Sequence, residues 1–581
     1  MNAQAQKVAT PAGEQSHTSP RKVSGAEALI LSLLAEGVDT IFGYPGGAIM
    51  PVYDSLYHYT DQVNHILTRH EQGATHAAQG YARLAKKAGV CFATSGPGAT
   101  NLITGIADAQ IDSTPLVCIT GQVASHLLGS DAFQETDIIG ISNPVTKWNF
   151  QVTRAEEIPA TIAKAFYIAQ NGRPGPVLID ITKDAQFGVL DFEYKKCEKI
   201  RSYRPVPQLN QGQVLQAAQL INQAQKPMIL MGQGVSLAEA ENDLQTFVEK
   251  TGIPVASTLL GLSSFSTHHP LYVGFLGMHG NYGPNIKTNE ADLLIAVGMR
   301  FDDRVTGDLS RYAQQAKVIH IEIDPAEIDK NVKADVPVIG DAKEALQALL
   351  PLVKARSHQD WLKEFDNCQK VENEKVVSKT MQPSTPKLKM AEVVQALSDQ
   401  TKGKAVIVTD VGQHQMIASR YYQFDQPNSN ITSGGLGTMG FALPAAMGAK
   451  IARSDREVVA IIGDGGFQMT AQELGTLMQY QIPVKMIILN NSFLGMVRQW
   501  QELFFDRRYS FTEMVNPDFV ALAKSFHIGA QRVEERNQLG EGLQNMLAHQ
   551  GSFLLEVVVE KETNVFPMVP TGESISNIRL E

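Results

Sequence analysis

Hydrophobic positions in this chain gather into short unbroken runs, set between longer stretches of helical spacing. The clearest run, Val458-Val459-Ala460-Ile461-Ile462, leads straight into Gly463-Asp464-Gly465-Gly466. A second, over 484–489, leads into Asn490-Asn491, and the stretch between them, 471–480, is patterned as a helix. Continuous apolar runs of this length are the mark of parallel strands buried on both faces. A strand–helix–strand crossover is right-handed and leaves its strands parallel. Asp464 and Asn491 are therefore expected at the same carboxyl edge of one sheet, where open α/β sheets take their ligands.

The same alternation divides the chain into three α/β blocks. In 22–190 strands are predicted near 40–42, 63–68, 90–94, 116–120 and 177–181; in 208–355 near 228–231, 293–297 and 318–323; in 388–581 near 405–409, 458–462, 484–489 and 553–558. The expected fold is α/β, with three doubly wound domains of mostly parallel strands. Residues 191–207 and 356–387 are charged or polar and carry prolines, so they read as linkers, the second partly helical. Residues 1–21 read as a flexible leader without the apolar core of a signal peptide. There is no sequence repeat, although the first and third blocks look alike in architecture.

Composition narrows the function classes. A chain of 581 residues is too long for one core. A net charge of −10 offers no electrostatic footprint for nucleic acid. No apolar stretch approaches the roughly 20 residues that span a bilayer. The four cysteines, Cys91, Cys118, Cys197 and Cys368, are widely spaced with no CxxC pair, which argues against a disulfide framework or a zinc site and suits a reducing cytosol.

The chemistry sits where strands end. Asp464 and Asn491 offer a carboxylate and an amide oxygen, a donor set for Mg2+, which prefers oxygen and partners phosphates. Gly463, Gly465 and Gly466 let backbone N–H groups approach a diphosphate beside a helix start. Either half alone is equally a turn or a strand stop; the pair at this spacing reads as a metal–diphosphate site. The run 405–409 ends in Asp410-Val411-Gly412-Gln413-His414, and Ser433-Gly434-Gly435-Leu436-Gly437-Thr438-Met439-Gly440 is a second glycine-rich loop. In the first block, Tyr44-Pro45-Gly46-Gly47-Ala48 and Ser95-Gly96-Pro97-Gly98-Ala99-Thr100-Asn101 follow strands, and Arg69-His70-Glu71-Gln72-Gly73-Ala74 follows 63–68. Met231-Gly232-Gln233-Gly234 in the second block is a weak nucleotide-loop signal.

The Gly-Asp-Gly and Asn-Asn pair resembles the motif of thiamine diphosphate (ThDP) enzymes, and the chain from about Val23 onward is most similar to the acetohydroxyacid synthases. That resemblance implies ThDP, Mg2+ and FAD. It assigns Asp464 and Asn491 to the metal with Phe493, the residue two beyond Asn491, contributing its backbone oxygen. It assigns Val411, Gly412, Gln413, His414, Gly463, Gly465, Gly466, Gly495 and Met496 to the diphosphate side. Met439 would wedge under the cofactor and Gly437 would accept from its 4′-amino group. Glu71, in its R-H-E-Q-G-A context, would be the acid on the pyrimidine ring. Tyr44, Pro45, Gly46, Gly47, Pro97 and Asn101 would close around the rings, with Phe133 and Gln134 near the reacting carbon. The flavin set would be Arg173, Gly232, Gln233, Gly234, Thr258, Gly277, Met278, His279, Gly298, Arg300, Asp303, Arg304, Glu322, Ile323 and Asp341, holding FAD as a structural group.

The segment Arg300-Phe301-Asp302-Asp303-Arg304-Val305-Thr306-Gly307 resembles a hallmark of the anabolic members, in which Arg304 binds the carboxylate of the second 2-keto acid. Trp500 matches the acceptor-pocket residue that favours 2-ketobutyrate over pyruvate, and Lys183 a lysine near the substrate channel. Gly47, Val123, Lys183, Trp500 and Thr571 match positions that bind herbicides in relatives. The implied reaction decarboxylates pyruvate and ligates the two-carbon unit to a second pyruvate or to 2-ketobutyrate, opening branched-chain amino-acid synthesis. The resemblance also implies a homodimer or homotetramer with active sites between chains, in a bacterial cytosol; whether a small regulatory subunit binds stays open. A pyruvate oxidase, a glyoxylate carboligase and an inactive scaffold of the same fold are the rivals; the Arg304 segment, Glu71, and the intact metal pair with Met439 argue against them in turn.

Overall fold

The computed structural model describes residues 21–382 and 386–581; most of the leader and residues 383–385 of the second linker lie outside the described residues. Three six-stranded sheets dominate, each wholly parallel. Most of their inner strands are the predicted apolar runs, buried on both faces, whereas Trp148–Val152, Val255–Ser257, Tyr272–Phe275, Val336–Ile339, Asn430–Thr432 and Gly529–Val533 lie outside those runs.

The N-terminal sheet runs, edge to edge, Asn64–Leu67, Thr40–Gly43, Gly89–Ala93, Leu116–Gln122, Pro176–Thr182, Trp148–Val152. The C-terminal sheet runs Asn430–Thr432, Val406–Thr409, Val458–Gly463, Lys485–Asn490, Phe553–Val558, Gly529–Val533. Numbered along the chain within each sheet, both orders are 2-1-3-4-6-5, so the likeness read between blocks one and three is topological. The central sheet is Tyr272–Phe275, Val255–Ser257, Pro227–Met231, Leu293–Val297, Lys317–Glu322, Val336–Ile339. That is 3-2-1-4-5-6, the order of doubly wound dinucleotide-binding sheets. In each sheet the connections reverse direction beside the first strand. The crevice this opens lies between loops 44–48 and 95–101, between loops 232–234 and 298–300, and between loops 410–414 and 464–466.

Two expectations change. The Gly-Asp-Gly-Gly segment is not a loop ahead of a helix at 471: the helix Asp464–Thr470 begins on Asp464 itself. Most of 356–382 is helical, with Gln359–Glu372 running on through a π-turn to Ser378–Met381. Trp361, Phe365 and Cys368 recur at helical spacing on that first helix and are buried, Trp361 and Phe365 in an apolar cluster of the central domain. Val189–Phe192 pairs antiparallel with Arg21–Ser24, closing the N-terminal domain.

The N- and C-terminal domains share one core, which includes Phe42, Ala77, Val408, Ala445 and Ile488. Its axis is the packing of helix Glu71–Ala85 on helix Ala442–Ala452. A Cβ at Gly80 would fall on the Ala445 carbonyl, and one at Gly448 on the Ala77 carbonyl. Glycine at both crossing points is what lets the backbones touch.

Candidate active site

At the C-terminal sheet's switch point the predicted residues come together. Gly412, at φ +149, caps helix Gln413–Tyr421. His414 lies against the next strand end, and a Cβ on Gly463 would come 2.8 Å from its ring. The imidazole is fully enclosed, burial pushes its pKa down to about 4, and its buried Nε2 has no hydrogen-bond partner. An orphaned ring nitrogen beside glycine backbone suits a phosphate oxygen. Gln413 donates to Gln499 at 3.0 Å and to the Thr563 carbonyl at 2.9 Å, so its amide group is already engaged.

Gly463 pairs in register with Leu489, which sets Asp464 beside the Asn490-Asn491 strand end. Burial lifts the Asp464 carboxyl to about 6. Asn516 bridges the two strand ends, donating to Asp464 Oδ2 at 2.7 Å and Asn490 Oδ1 at 2.9 Å. Leu494 N donates to Thr512 O and Met514 N to Ser492 O, at 2.8 and 2.9 Å. Those bonds flank Phe493 and leave its carbonyl out of the ladder, while its ring lies under Arg498 and Lys561. The donors on offer are thus one carboxylate, one amide and one backbone carbonyl. Among the described residues no group of three or more His, Cys, Asp or Glu could hold a metal. Such a set fits a hard ion completed by phosphate oxygens, and not a transition-metal cage.

The glycine-rich loop closes this half-site. Gly437 sits at φ +70 with Val411 beside it, and the Met439 methyl reaches to 3.7 Å from where Gly465 would carry a Cβ. Gly495 lies against Gln413 and Asn491. Buried Asp410, its pKa raised to about 6 by burial, accepts from the N–H groups of Val411, Gly440 and Ala442.

The N-terminal half-site is equally coherent. Glu71 is the first residue of helix Glu71–Ala85, capped by His70. Its Oε2 accepts from Asn101 Nδ2 at 2.9 Å, and its Oε1 lies 3.2 Å from a Cβ built on Gly98. Gly96, at φ +56, backs onto the Gln134 carbonyl, and Gly46 onto Thr94. Tyr44, Pro45, Gly46, Gly47, Pro97, Asn101, Phe133 and Gln134 therefore share the carboxyl edge with Glu71. Gly47 faces open space and Phe133 is 88% exposed. Gly121, just ahead of Val123, backs onto the Ala48 carbonyl, and Gln186 donates to that carbonyl at 2.8 Å. Lys183 and Thr571 are exposed.

A cavity of about 890 Å³ runs from the central domain to the C-terminal half-site. Every residue of the predicted flavin set lines it except Gly232, which backs onto the cavity-lining Gly298 and Met299. Val411, Gly412, Gly437, Met439, Met496 and Trp500 form its other end. Its polar groups are of two kinds. Arg173 is spent on Ser113, Asp324 and Glu327, and Asp341 caps a helix. His279 Nδ1 is buried without a partner, and burial drives that ring's pKa to about 4. Glu322, lifted to about 7 by burial, accepts only neighbouring backbone N–H groups. An elongated cleft with orphaned donors and acceptors at the switch point of a dinucleotide-type sheet fits FAD. Arg304 stands at the junction, its side chain 60% exposed and touching only Asp303 at 3.7 Å and the Met278 sulfur at 3.6 Å. Trp500 lies across from it against Phe504.

None of the N-terminal half-site residues lines this cavity. Sequence reasoning missed the apolar walls Leu260, Met416 and Leu436 and the bridging Asn516. Leu260, Met416 and Asn516 stand outside any motif, and Leu436 is an apolar residue within the glycine-rich loop whose type alone gave no signal.

Two sheets of one strand order flank a dinucleotide-type sheet, the C-terminal one carrying the Gly-Asp-Gly edge, which is the architecture of a three-domain ThDP enzyme. Residues 23–141, 214–349 and 410–557 match the N-terminal TPP-binding, central and C-terminal TPP-binding domains of the thiamine pyrophosphate enzymes. The chain is 46% identical to an acetolactate synthase large subunit of Corynebacterium glutamicum, across 100% of this chain and 94% of that one. It is 47% identical to the isozyme 2 large subunit of Escherichia coli, across 96% and 99%. A probable acetolactate synthase large subunit of Methanocaldococcus jannaschii is 46% identical, across 96% and 95%. The chain belongs to the acetolactate synthase large-subunit family of thiamine pyrophosphate enzymes.

Proposed function

We propose that this chain is the catalytic subunit of an acetohydroxyacid synthase. It decarboxylates pyruvate and ligates the hydroxyethyl unit to a second 2-keto acid, giving 2-acetolactate from pyruvate or 2-aceto-2-hydroxybutyrate from 2-ketobutyrate. The observation that carries this reading is the meeting of Arg304 and Trp500 with Gly437 and Met439 in one cavity. The Arg304 guanidinium, whose only ion pair is a long, exposed one to Asp303, can take a carboxylate through two parallel hydrogen bonds, and the indole gives the extra methyl of 2-ketobutyrate an apolar wall.

When bound, ThDP would supply an acidic carbon suited to the decarboxylation of a 2-keto acid. The chain's residues prepare that chemistry. Asp464, Asn491 and the Phe493 carbonyl would hold Mg2+ on the diphosphate, with Val411, Gly412, Gln413 and His414 alongside. Met439 would bend the cofactor and the Gly437 carbonyl would take its amino group. Glu71 would hold and return a proton at the pyrimidine nitrogen. The central cleft would keep FAD through Gly234, Gly298, His279, Glu322 and their neighbours. Lys183, at the start of helix Lys183–Phe187, would stand at the channel mouth.

None of the N-terminal half-site residues lines the cavity that holds the C-terminal half-site, which supports a homodimer, or a tetramer of such dimers, with each active site built from two chains. Large exposed apolar side chains lie at both halves: Phe133 at 88% on one, Phe511 at 99% and Val515 at 98% on the other. Its relatives are named large subunits, which favours a small regulatory partner here too. No helix among the described residues is long and apolar enough to cross a membrane; with its unpaired cysteines, the chain suits a bacterial cytosol. The test is purified protein with ThDP, Mg2+, FAD and pyruvate, read for acetolactate and for oxygen together. Acetolactate without oxygen uptake supports the synthase. Acetate or acetyl phosphate with oxygen uptake would make it an oxidase.

A further inference from the structure

The glycine-rich loop that carries Gly437 and Met439 belongs to the C-terminal domain, yet its grip comes largely from the N-terminal domain of the same chain. Helix Ile103–Ile111 ends in Asp108 and Asp112, both buried. Asp112 accepts from Gly434 N at 2.8 Å and Gly435 N at 2.7 Å. Asp108 accepts from the Ser433 hydroxyl and from Thr438 Oγ1, the latter at 3.0 Å. Ser433 in turn accepts from Thr438 N at 2.8 Å, which ties the loop across its own base. Arg83, on helix Glu71–Ala85, holds the assembly from behind: it donates to Asp112 at 3.1 Å and to the Thr432 carbonyl at 2.6 Å. Glycine at 435 is required by this approach, since a Cβ there would lie 2.8 Å from Ile111 and 2.9 Å from Asp112.

The energetics point the same way. Two carboxylates at the last turn of a helix face the negative end of its dipole, and both are cut off from water. Burial pushes both pKa values up, opposed by Arg83 and by the loop's donors. Such a pair is costly unless it is satisfied from outside its own helix. Here one guanidinium and four donors of the glycine-rich loop satisfy Asp112 and one oxygen of Asp108, whose Oδ2 is left without a partner. The loop's far end is fixed separately by Asp410 through Gly440 and Ala442. The stretch between the two anchorages is the part that carries Gly437 and Met439.

We infer that Asp108 and Asp112, with Arg83 behind them, are positioning residues for ThDP: the N-terminal domain of each chain sets the shape of its own chain's glycine-rich loop. This rests on the proposed reading that the loop receives the cofactor. Because Glu71 opens the helix whose last turn carries Arg83, one helix links an N-terminal half-site to the chain's own cofactor loop, roughly 18 Å away at 1.5 Å per residue.

The experiment is a titration of full-length protein with ThDP at fixed Mg2+, read by tryptophan fluorescence, for wild type, Asp112→Asn and the double variant Ser433→Ala, Thr438→Val. Asp112→Asn turns one of the two acceptors facing the loop N–H groups into a donor. The double variant removes both loop hydroxyls from Asp108 and leaves the N-terminal domain untouched. Each is expected to weaken ThDP binding ~10–100-fold, as the loss of a charge-assisted hydrogen bond would. The KM for pyruvate at saturating ThDP should stay within about two-fold, with both variants melting cooperatively at a temperature lowered by the loss of a partner to a buried charge; a general loss of fold would move ThDP affinity and KM together. ThDP affinity within about two-fold of wild type in both variants, with the fold intact, overturns the inference. A wild-type protein that binds no ThDP would instead overturn the cofactor reading beneath it.

Discussion

Glu71→Gln isolates the proton-handling role from everything else the residue does. The side chain keeps its length and volume at the first position of helix Glu71–Ala85. Its one side-chain hydrogen bond in the structure, from Asn101 Nδ2 at 2.9 Å, survives if the new amide turns its oxygen toward Asn101. The folding cost is then that of one neutral hydrogen bond in place of a charged one, about 1 kcal/mol or less. What would be lost outright is the carboxyl proton that Glu71 would share with the pyrimidine nitrogen. A positioned acid–base group is worth ~10²–10⁴-fold in rate, or about 2.7–5.4 kcal/mol of barrier. The assay is the initial rate of acetolactate formation at saturating pyruvate and Mg2+, beside a ThDP titration and a thermal melt. The expected result is a kcat lowered by two to four decades with cofactor affinity changed only a few-fold. A kcat within about three-fold of wild type, or a fall in affinity as large as the fall in rate, would refute the reasoning.

Further expectations follow from the same geometry. Mixing Glu71→Gln chains with Asp464→Ala chains under exchange should restore about a quarter of wild-type activity, because half the random dimers hold one intact site of two; no recovery would place each site within one chain. Trp500→Leu should lower the preference for 2-ketobutyrate over pyruvate by roughly 10-fold, the scale of one methyl's burial in an apolar pocket, and an unchanged product ratio would remove Trp500 from that pocket. Burial raises the Glu322 carboxyl to about 7 from an ordinary 4.5, so the flavin-free fold binds a proton that the unfolded chain releases. That stability is full below about pH 4.5 and is lost as pH rises through about 7, a difference of ~3 kcal/mol. Melting curves of flavin-free protein between pH 5 and 8 should show the decline in wild type and not in Glu322→Gln.

Much of the fold could be read from the chain because its central strands are uninterrupted apolar runs. Strand Val458–Gly463 is buried at every position. Two of the edge strands escaped notice for the converse reason. Trp148–Val152 and Gly529–Val533 are mostly half-exposed, mix polar with apolar residues, and owe their conformation to one neighbouring ladder. Residues 356–387 read as a linker because the helix within them is mostly charged and polar, although the buried Trp361, Phe365 and Cys368 have helical spacing.

The half-sites were legible because their glycines and carboxylates directly follow those strands, where the sheet's topology forces them to one edge. Asp108, Asp112 and Asn516 were not, because their roles depend on partners far along the chain: Ser433, Gly434 and Thr438 for the first two, Asp464 and Asn490 for the third. Arg173 shows the limit of a motif match. It lines the central cleft, yet its guanidinium is occupied by Asp324 and Glu327.

The most direct test of the central claim is a competition experiment on purified protein with ThDP, Mg2+ and FAD, supplied with pyruvate and 2-ketobutyrate together and analysed for every product. The account predicts 2-aceto-2-hydroxybutyrate in excess over 2-acetolactate, with no oxygen consumed, and loss of that excess in Trp500→Leu. Acetate or acetyl phosphate as the main product, or no carbon–carbon bond formation from either keto acid, would contradict it.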